Sequence, residues 1–398
     1  MIPSGLRLKR FKVLGPIVAA LGAALFSFLC LLCVGATLLI GAKLQAPDLG
    51  AGASPLSVLA TIAIVALGGL GATVNIGEVE VAALPLGAVL FVGLGITWAT
   101  RRALADGDRS RPAIGLAVGA WLAMLCAAAA LAFRLGSGTD QTHVAALPAA
   151  VAGAFWGAIF AVWGLLAPIP RIKLGESARG AWNAAASFIG GKAFHARGRG
   201  TMSLTLSTAL LSLGVTILIV VARLIAEPPS TILSAAGTLI HAAAFAANLA
   251  VCVAAVSLGA TVEAGMGSLV SASAEVPGYS LLDWAGAAPP AYAWMLLAIP
   301  VASVLYAGAV LHRNRRFGVG SVVVSALAFA SVLGGLAAFS DARVGLDLGA
   351  EGWARLSPDA LQTFLLGLGW AIVGLPAGRA VAGLRERHSD PAASNTQG

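Results

Sequence analysis

Long apolar runs follow one another along almost the whole chain. A helix needs about 20 apolar residues to cross a bilayer, and ten runs reach or nearly reach that length. The polar gaps between them are no longer than about 35 residues, too short for a large domain outside the membrane. Of the 398 residues, 59% are hydrophobic and 11% are charged, whereas about a quarter of a soluble domain is charged. The pattern excludes a soluble protein and predicts an all-α polytopic integral membrane protein.

The ten runs form two groups of five. They are predicted at 13–42, 55–74, 82–99, 113–133, 146–167, 201–226, 234–262, 291–311, 318–339 and 362–384. The chain then divides into a basic cytoplasmic N-terminus (1–12), a first five-segment repeat (13–167), a basic linker (168–200), a second five-segment repeat (201–384) and a disordered C-terminal tail (385–398). The first run is too long for a cleavable signal peptide, so we expect a retained signal anchor.

A short motif recurs in the two groups. The letters LGATV at 70–74 return at 258–262, 188 residues later. Pro85 and Pro300 then begin similar apolar segments, and both segments end in arginines. Ordered matches of this kind are typical of an internal duplication. We therefore expect two repeats of five segments each.

The distribution of Lys and Arg favours a particular topology. If all ten runs cross the membrane, the inner side holds 12 of these residues and the outer side 13, which shows no bias. If the second and seventh runs do not change sides, the division becomes 20 to 5, as positive-inside retention predicts. Both termini are then cytoplasmic. The two exceptional runs are the ones that carry the LGATV motif.

We therefore expect a re-entrant or broken-helix hairpin in each half, near 71–85 and 259–300. Gly-rich backbone is tolerated at membrane depth where protein or a water-filled cavity surrounds it, and the alternation over 74–81 predicts extended chain. The alternative is a pair of ordinary surface loops in a protein with little charge bias. The hairpin residues are Gly71, Thr73, Gly77 and Pro85 in the first half, and Gly259, Thr261, Gly265 and Pro300 in the second.

A few polar residues lie in or beside the apolar runs. Such groups are costly in a membrane and often mark pathways or polar networks. If the two hairpins meet, these residues are candidates for a shared polar cavity: Asn75, Glu78, Glu80, His241, Asn248, Glu263 and Asp283. The alternatives are that the acids are solvated loop residues and that His241 is a helix-packing residue.

Signatures of catalysis and of metal binding are missing from the sequence. We find no H-E-x-x-H, G-x-S-x-G or P-loop, and the five histidines have no metal-ligand spacing. The four cysteines lie inside apolar runs, where they act as small hydrophobes. We therefore expect a protein that is not an enzyme, with no catalytic residues, metal or cofactor. The basic residues cluster beside apolar runs, so no nucleic-acid partner is expected.

The linker 168–200 has the periodicity of an amphipathic helix at the inner membrane surface. Its proposed membrane-facing residues are Trp182, Lys192, Arg197 and Arg199. Basic side chains at this level attract anionic lipid of the inner leaflet. The alternative is a plain linker between the repeats.

The sequence resembles a family of membrane proteins. The matching features are Gly68-Gly69, the ALPLG letters at 83–87, ANLA at 247–250, GATVEAG at 259–265, YSLLD at 279–283, and Trp370 with Gly374. They resemble the streptophobe proteins, hydrophobic polytopic proteins of Streptomyces and related actinobacteria. The chain is also similar to PerM-like actinobacterial membrane proteins linked to cell division. The resemblance implies a cytoplasmic-membrane protein and supplies no reaction or substrate.

Three classes of function remain open from the sequence. The first is a non-enzymatic membrane protein that acts through a membrane-protein partner of the envelope or the division machinery. The second is a secondary transporter or permease with its site at the two GATV hairpins, because transporter sites lie where discontinuous helices of two repeats meet. The third is an intramembrane lipid-modifying enzyme, which rests on the glutamates alone.

Overall fold

The computed structural model describes residues 4–45, 54–72, 74–76, 79–103, 112–136, 142–166, 196–268, 278–281, 288–312, 319–346 and 352–389. The helices of the first half are α1 (Ser4–Gln45), α2 (Pro55–Gly68), α3 (Leu86–Ala103), α4 (Pro112–Gly136) and α5 (Ala146–Leu166). Those of the second half are α6 (Ala196–Ala226), α7 (Ile232–Leu258), α8 (Ala298–His312), α9 (Val319–Phe339) and α10 (Ala360–Ser389), and a 3₁₀ helix (Ala291–Leu297) precedes α8. We call residues 4–166 the first half and residues 196–389 the second half.

In the part of the chain that the structure describes, seven helical segments are long and apolar enough to cross a membrane. They are α1, α4, α6, α7, the 3₁₀ helix with α8, α9 and α10. Three shorter apolar helices lie within α2, α3 and α5. A mainly helical, multi-pass membrane class is therefore confirmed, whereas the expected ten segments in two repeats stay a prediction.

A β-sheet of seven strands joins the two halves. Its strands are β1 (Val74–Ile76), β2 (Val79–Ala83), β3 (Thr142–Val144), β4 (Val262–Ser268), β5 (Gly278–Tyr279), β6 (Ala342–Leu346) and β7 (Gly352–Pro358). Their order is β3-β1-β2-β6-β7-β4-β5, and every pair is antiparallel. The halves meet where β2 pairs with β6, with Val81 opposite Val344. Within the described residues, the strands come from four connections: α2–α3, α4–α5, α7–α8 and α9–α10.

The helices of each half pack around their own apolar core. In the first half α1 packs on α2, α3 and α4, and in the second half α6 packs on α7, α8 and α9. Leu31 of α1 and Leu70 belong to the first core, and Leu204 of α6 and Leu258 belong to the second. Helix α7 also packs on α1 and α3, so it connects the halves inside the helical layer as well.

Several boundaries differ from those expected. The sheet is the part of the fold that the all-α expectation left out, because most of its strands are short and lie in Gly-containing connections. The second apolar run continues to residue 74, but α2 ends at Gly68. The last helix extends to Ser389, so residues 385–389 are helical, and the rest of the predicted tail lies outside the described residues.

The predicted linker is described only at its end. Helix α6 begins at Ala196, so Arg197 and Arg199 belong to its first turn. Trp182 and Lys192 lie outside the described residues, as does the rest of the predicted amphipathic segment up to residue 195.

Candidate functional site

The two copies of the LGATV motif end their helices in the same way. Gly71 has a φ of +92° and Gly259 a φ of +94°, a left-handed conformation that glycine adopts without a Cβ clash. The amide of each glycine donates to the carbonyl three residues back, at 2.8 and 2.9 Å. The next amide donates to the carbonyl five residues back, at 3.4 and 2.9 Å. This is the hydrogen-bond pattern of a Schellman helix end.

An indole group satisfies the carbonyl just before each glycine. Nε1 of Trp156 in α5 donates to the Leu70 carbonyl at 3.1 Å. Nε1 of Trp370 in α10 donates to the Leu258 carbonyl at 3.2 Å. Each tryptophan follows the first residue of its helix by ten positions. The helix ends of α2 and α7 therefore lie beside the middle parts of α5 and α10.

A cavity of about 560 Å³ lies next to the second motif. Its polar lining consists of Thr261, Glu263, Asp341, Ser357, Asp359 and Gln362. Three carboxyl groups, those of Glu263, Asp341 and Asp359, therefore border one space. Glu263 is half-buried on β4, and Asp341 is half-buried just after α9.

A short hydrogen-bond network fixes the wall of this cavity at the start of α10. The backbone amide of Gln362 donates to Asp359 Oδ1 at 2.8 Å, so Asp359 caps the helix. The Asp359 amide donates to the Thr261 carbonyl at 2.8 Å. Gln362 Oε1 accepts from the Thr261 amide at 2.9 Å. The helix cap is thus bonded directly to the second motif.

Asn248 lies apart from this cavity, at the contact between the halves. Its side chain is 1% exposed. Nδ2 donates to the Leu84 carbonyl at 2.7 Å, and Oδ1 accepts from the Leu86 amide at 2.8 Å. The amide group of Asn248 therefore spans Pro85, between β2 and α3. Asn248 connects a helix of the second half to the hairpin of the first.

His241 occupies a third place, nearer the start of α7. Its Nδ1 lies 3.0 Å from the Gly237 carbonyl, and its ring packs beside Gly41 of α1. This environment agrees with the interpretation of His241 as a helix-packing residue. His241, Asn248 and Glu263, which were predicted to share one cavity, therefore lie in three separate places.

The remaining predicted residues lie on or near the sheet. Asn75 pairs with Glu80 across β1 and β2, and β2 is three strand spacings, about 14 Å, from β4, which carries Glu263. Gly265 lies on β4, and Pro300 is the third residue of α8. Four predicted residues lie outside the described residues: Thr73, Gly77, Glu78 and Asp283.

Sequence reasoning assigned no site role to five residues that shape these sites: Asp341, Asp359, Gln362, Trp156 and Trp370. The spacing of each tryptophan from its helix start is the same in both halves, and this signal becomes visible only once the helix starts are known. Within the described residues, no group of three His, Cys, Asp or Glu side chains is arranged to hold a metal ion. No protein-family model, curated protein or solved structure matches this chain.

Proposed function

We propose that this chain is a non-enzymatic protein of a bacterial cytoplasmic membrane and that it binds a second membrane protein, of the envelope or the division machinery, through its β-sheet. The observation that carries the proposal is the construction of the sheet, in which strands from both halves form one surface. Membership in the streptophobe family is part of the proposal. The resemblance to PerM-like proteins supports the same class of function.

The distribution of charge supports an outward-facing sheet. Of 25 Lys and Arg residues, 20 lie in or beside the termini, the linker and the two connections 104–111 and 313–318. Positive-inside retention favours a cytoplasmic location for those parts. Both termini are then cytoplasmic, and we expect the basic linker to contact anionic lipid of the inner leaflet.

This topology requires α2 and α7 to enter the membrane and return to the same side. The tryptophan contacts support that path, because each motif turn lies beside a residue about 15 Å from the start of its neighbouring helix. The two indole groups provide hydrogen-bond partners for the backbone carbonyls of Leu70 and Leu258 in these turns. Non-helical backbone inside a membrane requires such partners from the surrounding protein. The shared packing pattern of the two halves supports two parallel repeats.

The connection between the halves favours a binding protein over a rocking transporter. Alternating access moves one repeat against the other. Here β2 pairs with β6 over four residues, and Asn248 bonds to the hairpin of the opposite half. Relative motion of the halves would break both contacts. A shared, fixed surface is better suited to holding a partner.

The test places a photo-crosslinking benzoylphenylalanine on the sheet in living cells. The edge strands offer His143 on β3 and Tyr279 on β5, and Leu218 on α6 serves as the lipid-facing control, with 68% of its side chain exposed. We expect an adduct with one reproducible membrane protein at an edge position and none at Leu218. Recovery of only abundant background proteins at both edges would contradict the proposal.

A transporter is the second candidate, favoured by the cavity with three carboxyl groups beside the second motif. Broken helices of transporters commonly border the substrate or ion site. The cavity combines such a helix end with Glu263, Asp341 and Asp359, and its volume is in the range of small-molecule sites. Carboxyl groups in the lining favour a cationic solute.

Glu263→Gln tests the transporter candidate, because it removes one carboxylate from the cavity with little change in shape. For a transporter we expect the variant to lose the ability to rescue a gene-deletion strain while reaching wild-type levels in the membrane. Glu227→Gln, at an exposed glutamate that pairs with Arg223, is the matched control. Full rescue by Glu263→Gln would count against transport and leaves the partner-binding proposal intact.

A further inference from the structure

Hydroxyl side chains form a stripe along α6. They are Thr201, Thr205, Thr208, Ser212 and Thr216. Their spacing of three or four residues keeps them within about 80° of one another around the helix, over a length of about 22 Å. Thr208 and Ser212 are at most 1% exposed. The stripe therefore faces the interior of the second half.

The ends of the stripe are hydrogen-bonded to the backbone, and its middle is not. Thr201 Oγ1 donates to the Ser325 carbonyl at 3.4 Å, and Thr216 Oγ1 donates to the Ser212 carbonyl at 2.9 Å. Among the residues that the structure describes, the hydroxyl groups of Thr205, Thr208 and Ser212 have no hydrogen-bond partner. A helical Ser or Thr can donate to the carbonyl four residues back. These three do not.

A fourth hydroxyl of this kind lies on the facing helix. Gly200, near the start of α6, packs against Leu311 at the end of α8, so the two helices are antiparallel. Thr208 and Ser303 each lie eight residues, about 12 Å, from that contact and therefore at the same level. Ser303 is 1% exposed. Its hydroxyl also has no partner within the described part of the chain.

The end of α7 reaches the same region. Leu258, its last residue, belongs to one apolar cluster with Leu204 of α6 and Val304 of α8. The unpartnered hydroxyl groups therefore lie near the motif turn at Gly259, at the level where α7 ends. In the described part of α1, by contrast, the one fully buried hydroxyl is that of Ser27, and it donates to the Ala23 carbonyl at 2.6 Å.

A buried hydroxyl group without a partner is unfavourable, and ordered water is the common solution in proteins. One buried water molecule makes about three hydrogen bonds, so it can serve neighbouring hydroxyl groups together. We propose that the stripe is hydrated: internal water molecules bind Thr205, Thr208, Ser212 and Ser303 and form a polar file inside the second half, beside the end of α7. This file is distinct from the cavity at Glu263 and does not depend on the proposed partner.

Cysteine accessibility tests the proposal directly. Thr208→Cys and Ser212→Cys are introduced separately after Cys30, Cys33, Cys126 and Cys252 have been changed to serine. A small, water-soluble methanethiosulfonate reagent attacks the thiolate, which forms in water and not in a dry apolar interior. We expect both cysteines to be labelled in native membranes at least tenfold faster than Leu218→Cys, which faces lipid.

Ser207→Cys is the matched control on the same helix. The Ser207 hydroxyl already donates to the Ser203 carbonyl at 2.8 Å, and its position lies about 140° around the helix from the middle of the stripe. It should be labelled as slowly as Leu218→Cys. Equal rates at Thr208, Ser212, Ser207 and Leu218 would overturn the proposal. The substitutions change side-chain volume little, and gel filtration verifies that each variant is folded.

Discussion

Asn248→Leu is expected to destabilise the protein by about 2 to 4 kcal/mol, because two buried backbone groups lose their partners at once. The side chain of Asn248 donates to the Leu84 carbonyl and accepts from the Leu86 amide, at 2.7 and 2.8 Å. Leucine has the same branched shape and makes neither bond. Pro85, between these residues, has no amide with which to form a replacement.

The measurement is the thermal unfolding midpoint of the purified protein in detergent, with unfolding free energies from titration with sodium dodecyl sulfate. Thr238→Val on the same helix is the control, because its hydroxyl lies near the exposed end of α7 and bonds to Ser234 and Gln45. We expect a change below about 1 kcal/mol for that variant. Equal effects of the two substitutions would show that Asn248 does not connect the halves.

Asn248 also illustrates what can be predicted from the sequence and what cannot. A lone Asn in an apolar run predicts a polar role, and the residue has one. Its partners, however, are 164 and 162 residues away in the sequence. Periodicity places a side chain on a helix face but does not identify the helix or loop opposite. The polarity of Asn248 and Glu263 alone therefore could not show whether the two side chains line the same cavity.

The strands illustrate a different limit. Alternating letters at 74–81 predict extended chain; β1 lies within that range, and β2 begins in it and continues to Ala83. Strands β6 and β7 give no comparable signal, because Gly345, Gly352 and charged residues interrupt the apolar pattern. They are stabilised by pairing with β2 and β4, which are distant in the sequence. Sheet pairing of this kind depends on tertiary structure.

Helix ends inside apolar runs are partly readable. Hydropathy alone continues the second run past Gly68, whereas Gly68, Gly69 and Gly71 in close succession indicate a helix end. The left-handed turn at Gly71 agrees with that signal. The indole group that bonds to the turn comes from α5, which local sequence does not identify. The motif was thus recognisable from sequence, while its environment was not.

Gly87→Leu is expected to have an effect as large as that of Asn248→Leu, for a steric reason. Gly87 lies in the first turn of α3, where α7 crosses it. A Cβ atom at this position would lie 2.6 Å from the carbonyl oxygens of Ala243 and Ala244. Both obstacles are backbone atoms, so a change of rotamer cannot relieve the clash. The two helices must separate, which costs about 3 kcal/mol.

Gly214→Leu is the matched control for this prediction. Gly214 is also a helical glycine in an apolar segment, but a Cβ atom there would meet nothing within 4 Å. Since leucine is a better helix former than glycine, we expect unchanged or slightly higher stability, by up to about 1 kcal/mol. Gly87→Ala should give an intermediate loss of stability.

The same unfolding titration measures the stability of all three variants. A disulfide between Val81→Cys and Val344→Cys, which lie opposite each other on β2 and β6, reports whether the halves stay together. Efficient disulfide formation and wild-type stability in Gly87→Leu would show that the crossing of α3 and α7 is not the close contact that joins the halves.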